Sequence, residues 1–296
     1  MRIIKPVVVT VIILLTGCEK DNSERLFSSN EGFCIKIADS LVYKQSQIDF
    51  YDFSSHLIYL NNGNSFTFSN RGSFTVFADG IEIYSGQLFP LYSSFLPVGP
   101  VIRCPPLFYG DYIIPVEFIQ LTDSLENTFE DPRKDTRIIE ALRKYNQYRE
   151  GLACEIISVQ KLSSDKVRFE IRLVNNDSEN LYLLDPDKMG INLFHYFTNG
   201  LILKNAYNTV FTHNITIARP EPWNTWEVDW LSVIKGKETK TISITYNSFK
   251  TLVPGQYTAI FVFPGLGRQV EREDLIQENG RIWLGDLHIK KAIIIK

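Results

Sequence analysis

Short runs in which apolar and polar residues alternate, about ten residues apart and separated by tight-turn dipeptides, constrain this chain more than any other feature. At 73–78, Phe74 and Val76 alternate with Ser73 and Thr75, the period of a half-buried strand. Asp79-Gly80 then separates that run from 81–84, and Asp-Gly between apolar runs marks a type I′ hairpin, since both turn positions need positive φ. Thr198-Asn199-Gly200, between 191–197 and 201–204, gives a second hairpin signal of the same kind. Residues 33–37, 154–160, 167–175, 181–184, 239–246 and 257–263 read as further strands, with Asn176-Asp177-Ser178 as a turn. Aromatic and β-branched residues are plentiful while Met is scarce, a bias toward strands. The fold class expected is mainly β.

One helix interrupts this pattern. Asp135 is its candidate N-cap, and Ile138, Ile139, Leu142 and Tyr145 form an apolar stripe. Gly151 stands where a left-handed residue would end it. The helix divides the chain into two β-rich domains, 31–130 and 152–296, with 131–151 as the linker that carries it. Pro90, Pro97, Pro100, Pro105 and Pro106 break the first domain into irregular loop or edge strand, and Pro115 demotes 112–120 toward an edge.

The N-terminus carries Arg2 and Lys5, then the apolar segment 7–15, then Leu15-Thr16-Gly17-Cys18. A helix over that segment would span only about 14 Å, against a bilayer core of roughly 30 Å, so it reads as a processed signal. The tetrapeptide resembles the lipobox of bacterial lipoproteins at all four positions. The resemblance implies cleavage after Gly17, lipid on Cys18 and attachment to the outer membrane, facing either the cell surface or the periplasm. Removing 1–17 leaves 29 basic against 34 acidic residues, a formal charge of −5. That balance gives no electrostatic footprint for nucleic acid and no polybasic patch for anionic lipid. Residues 18–30 are polar and read as a flexible tether. Glu19-Lys20-Asp21 with Glu24 resembles the export signal of Bacteroidota surface lipoproteins, and the whole chain resembles lipoproteins of that group.

Leu252-Val253-Pro254-Gly255-Gln256-Tyr257 leads into a late strand. A tyrosine there, just after Pro-Gly, resembles the tyrosine corner of immunoglobulin-like sandwiches, whose hydroxyl bonds the backbone a few residues upstream. With 167–176, 242–246 and 280–295, where Gly285 reads as a bulge, it makes 152–296 resemble an immunoglobulin-like domain of bacterial envelope proteins. The same spacing resembles the bacterial intracellular proteinase-inhibitor fold, which implies protease or toxin inhibition, or an immunity role, as an alternative. Asp39-Ser40-Leu41 and Asp123-Ser124-Leu125 resemble the O-glycosylation motif of Bacteroidota, which would place the glycans on Ser40 and Ser124; ordinary turn residues are the competing reading.

With Cys18 lipidated, Cys34, Cys104 and Cys154 remain, an odd number. Cys34 and Cys104, in one folded region, are the pair expected if a bridge forms; otherwise all three are thiols packed as small hydrophobes. His56, His195, His213 and His288 are far apart in sequence, and none has zinc-site or zincin spacing. His195, in Leu193-Phe194-His195-Tyr196-Phe197, reads as a satisfied histidine on a strand face. No nucleophile elbow and no glycine-rich phosphate loop is present, so no catalytic residue, cofactor or metal is expected. Asp185-Pro186-Asp187 reads as a turn. The best binding candidate is Pro220-Glu221-Pro222-Trp223-Asn224-Thr225-Trp226, followed by Trp230. Rigid aromatic faces on such a loop stack on sugar rings or anchor protein interfaces. The function expected is therefore a non-enzymatic, lipid-anchored envelope protein that binds a glycan or protein through loops of its sandwich. An enzyme of unfamiliar type would need a concave site of ionisable groups far apart in sequence.

Overall fold

The computed structural model describes residues 31–38, 41–67, 71–93, 97–120, 130–267 and 270–296. The signal segment, Gly17, Cys18, the tether, Ser40 and Ser124 lie outside the described residues. The protein is mainly β: among the described residues 46% are strand and 13% helix, and the strands form five sheets.

The first sheet has six strands, in the spatial order Leu41–Tyr43, Phe33–Ile37, Ser73–Ala78, Ile81–Pro90, Gly99–Cys104 and Glu117–Ile119. Its central hairpin turns at Asp79 (φ 47°) and Gly80 (φ 79°), both positive as the sequence requires. The helix Thr136–Lys144 starts where expected, with the Asp135 side chain accepting from the backbone N–H of Arg137. It does not run on to Gly151. Asn146 (φ 57°) turns the chain just beyond Lys144, and the backbone continues into the short strand Tyr148–Arg149. Gly151 (φ 78°) is needed for a different reason: Ser54 and Asp52 occupy the space a side chain there would fill. The apolar stripe of the helix packs inward, with Ile138, Ala141 and Leu142 buried in the core of the first sheet.

The second sheet, in the order Tyr148–Arg149, Ile48–Asp52, Leu57–Leu60 and Ile113–Pro115, lies between two cores. Tyr51, Ile58, Leu60 and Ile114 join the core of the first sheet. Phe50, Leu57, Tyr59 and Ile113 join the core of the C-terminal half. Strands covered on both faces lose the alternating pattern, which is why Leu57–Leu60 is apolar throughout. Pro115 lies on the edge strand of this sheet, and after Val116 the chain crosses to the first sheet at Glu117–Ile119.

Three sheets surround the second core. Leu152–Lys161, Val167–Asn175 and Thr239–Tyr246 form one. Leu231–Ile234, Asn180–Leu184, Gly280–Ile282 and Ile276–Gln277 form another. Val210–Phe211, Ile202–Asn205, Gly255–Phe263 and Leu287–Ile295 form the last. Phe169 and Phe261, from the first and last of these, meet edge to face at 4.9 Å. The Tyr257 hydroxyl donates to the Val253 carbonyl at 2.8 Å, four residues upstream, as the corner resemblance implies.

Two segments depart from the strand reading. Residues 191–197 form the helix Ile191–Phe197, entered through Gly190 (φ 81°), so Thr198-Asn199-Gly200 follows a helix and is no hairpin. Phe194 and His195 are both buried and Ile191, Leu193 and Phe197 partly so; a segment apolar on nearly every side has no period to betray it. Gly285 lies between Gly280–Ile282 and Leu287–Ile295, not within a bulged strand.

Candidate functional site

The three tryptophans are separated by the fold. Trp230 ends the 3-10 turn Val228–Trp230 and is buried edge to face on Phe197 at 6.1 Å. Trp226 is half-buried against the second core. Trp223 is 48% exposed. The segment that carries it, 212–227, is irregular but tied down: Lys250 N–H donates to Thr212, Asn214 N–H to Ser248, and Ala218 N–H to Asn192. A single indole on a fastened loop therefore replaces the paired platform.

Cys34, Cys104 and Cys154 are free thiols. Cys34 and Cys104 lie in the same sheet, but the strands Ser73–Ala78 and Ile81–Pro90 stand between theirs. Three strand spacings place the two chains about 14 Å apart, twice the reach of a disulfide. Burial pushes both thiols up to about 11, so neither is a ready thiolate. Asp185 caps the short helix Pro186–Met189 and pairs with Lys240 at 2.7 Å; Asp185-Pro186-Asp187 is a cap, not a bare turn. No group of three or more metal-ligating side chains occurs among the described residues.

Where the halves meet, a charge cluster is buried. Arg281, from the C-terminal half, is 1% exposed and donates to Asp52 at 2.7 Å, to Asp177 at 3.1 Å and to Glu179 at 3.0 Å. Its guanidinium also lies 5.0 Å from the ring centre of Phe50. Asp52 accepts in addition from the Ser54 hydroxyl and from the N–H groups of Ser54 and Ser55, while Asp177 accepts from Gly151 N–H. Burial works against the Arg281 charge, but the carboxylates, Asp52 foremost, outweigh it and hold its pKa above the ordinary value. Asp177, read from sequence as a turn residue, is a core ion.

Beside this cluster opens a cleft of about 430 Å³, with walls from both halves. Leu107, Phe108, Tyr109 and Phe118 supply apolar faces, and Phe108 is half exposed with its backbone in the left-handed region (φ 74°). Arg103 and Glu117 pair at 2.7 Å, each about 40% exposed. Arg133 is bound through two nitrogens to Asp131 and donates to the Val116 carbonyl. Asp286 is open to solvent yet hemmed in by the walls; this crowding raises its pKa, against the lowering effects of Gly265 N–H and His288. His56 is buried with Nδ1 bonded to the Tyr51 hydroxyl, and burial, then Arg133, lowers its pKa to about 3. Glu117 and Asp286 are 169 positions apart, so no local motif could announce this site. Its one sequence signal was Leu107-Phe108-Tyr109, three large apolar residues set between Pro106 and Gly110.

A third cluster is aromatic. His195 stacks on Tyr246 at 5.5 Å and lies 4.5 Å from His213. It is not the satisfied histidine the sequence suggests, for neither ring nitrogen has a hydrogen-bond partner among the described residues. Burial, with His213 adding to it, lowers its pKa to about 4. No protein-family model matches the chain, and no curated protein matches it either.

Proposed function

We propose that this is a lipid-anchored protein of the outer membrane, without a reaction of its own, that binds a glycan or protein partner through loops of its C-terminal half. The half is, in this reading, an immunoglobulin-like sandwich, a view supported by the Tyr257 corner. The observation that carries the binding function is Trp223, a large indole half in solvent on a segment fastened at 212, 214 and 218 to the 248–250 loop and to Asn192 of the helix Ile191–Phe197. A prefixed aromatic face loses little conformational entropy when a ligand stacks on it. Trp223→Ala is expected to weaken binding about tenfold or more, read on a glycan array and by pull-down from envelope extract. Equal signals for both proteins would end the reading.

The anchor is tested separately. Cys18→Ser is expected to move the protein from the membrane pellet to the soluble fraction with its melting temperature unchanged, because two or more acyl chains supply the attachment. Retention in the pellet after a carbonate wash would exclude lipid on Cys18 as the anchor. The fastening of 212–227 also favours a second reading, a protease or toxin inhibitor that presents this loop. In that case the soluble form slows a target protease and Trp223→Ala does not.

A further inference from the structure

We propose that the cleft between the two halves is a second ligand site, independent of Trp223, for a hydroxyl-rich ring of one or two pyranose units that bears no negative charge. Its volume of about 430 Å³ lies in the range of small-molecule sites, roughly 300–1,000 Å³. Its walls divide by chemistry. Phe108 and Leu107, both about half exposed, present an apolar face, and the C–H side of a pyranose packs on such a face. The same lining carries the planar groups of Arg103, Glu117 and Asp286, which match the donors and acceptors around a sugar's rim. Ser55 also lines the cleft, and its hydroxyl is buried without a hydrogen-bond partner among the described residues.

The charges choose between ligands. Both arginines have their charge matched, Arg103 by Glu117 and Arg133 by Asp131, so a phosphate or carboxylate would find no uncompensated cation in them. Arg103, bonded through Nε alone, keeps N–H groups to donate to a neutral hydroxyl. Asp286 has no ion-pair partner among the described residues. Its one fixed hydrogen bond, from Gly265 N–H to Oδ1, leaves Oδ2 to accept from a hydroxyl or an amine. An anionic ligand would meet this carboxylate uncompensated. Phe108 supports the assignment in another way: a large residue held at φ 74° is backbone strain kept while its ring faces solvent.

The test uses the soluble Cys18→Ser chain with methyl β-glucoside, glucosamine, cellobiose and glucuronate as probes, by saturation-transfer NMR and calorimetry. At least one of the first three is expected to bind, with glucuronate about tenfold weaker or silent. Phe108→Ala should weaken binding about tenfold, Phe108→Trp should keep it, and Asp286→Asn should narrow the gap to glucuronate. Trp223→Ala should change nothing here, so the two sites stand or fall separately. The proposal is overturned if none of the four sugars binds at roughly 10 mM, if glucuronate binds as tightly as the others, or if Phe108→Ala binds as the parent does. Should Phe108→Ala melt early, the Asp286→Asn result decides alone.

Discussion

Replacing Arg281 with methionine is expected to destabilise the protein by about 3–5 kcal/mol, the usual cost of removing one partner from a buried ion cluster. Domains are stable by only about 5–15 kcal/mol, so the variant should unfold in far less denaturant than the parent. The loss comes less from the bonds themselves than from what stays behind: Asp52 and Asp177, both buried, face each other without a counter-ion. Adding Asp52→Asn to Arg281→Met should recover part of the loss, since the amide oxygen can still accept from Ser54 and Ser55 while a negative charge disappears. Urea melts of the two single variants and the double variant give the coupling directly. A loss below about 1 kcal/mol in Arg281→Met would show that the cluster is already open to water.

Lowering the pH from about 6.5 to 4 is expected to cost the fold stability through its histidines. In the unfolded chain a histidine takes up its proton near pH 6.5. Burial keeps His195 neutral in the fold down to about 4 and His56 down to about 3. Between those limits the unfolded state binds more protons, so stability falls as the pH falls. At roughly 1.4 kcal/mol per pK unit, each residue can cost on the order of 3 kcal/mol across its window. His195→Phe keeps the stack on Tyr246 and removes the proton site. It is therefore expected to melt like the parent, or higher, at pH 7 and clearly higher at pH 5. A parallel pair of melting-temperature curves would refute the role assigned to His195. Aspartates held below their ordinary range, such as Asp131 and Asp185, lose their contribution only below about pH 4 and do not confuse the comparison.

How much of this was legible depended on how many faces of an element are covered. Val167–Asn175 and Thr239–Tyr246 each bury one face, and their alternation placed them to the residue. The hairpin at Asp79-Gly80, the Asp135 cap and the Tyr257 hydroxyl bond to Val253 were legible because each rests on neighbouring residues. Ile48–Asp52 and Leu57–Leu60, buried on both faces, left no period, and with them the shared core of the two halves escaped notice. The helix Ile191–Phe197 failed for the same reason. Nothing in the spacing of Trp223, Trp226 and Trp230 could foretell the 3-10 turn Val228–Trp230 that buries the last of them. The Arg281 cluster and the cleft join residues more than 100 positions apart, and only the packing of the sheets brings them together.

The way the chain enters its first strand has a mechanical consequence. Phe33–Ile37 is paired antiparallel on both sides, with Leu41–Tyr43 and with Ser73–Ala78. Just ahead of it, Glu31 accepts from the Tyr145 hydroxyl at 3.0 Å and lies 3.5 Å from Lys144. A pull arriving from the N-terminal side meets those contacts first. It then runs along the axis of the strand, at right angles to its hydrogen bonds. The bonds on both flanks must then shear together, instead of parting one by one like a zipper. A molecule held by that end would resist tugging at its point of attachment better than at its C-terminal strand, Leu287–Ile295, which lies at the end of its sheet.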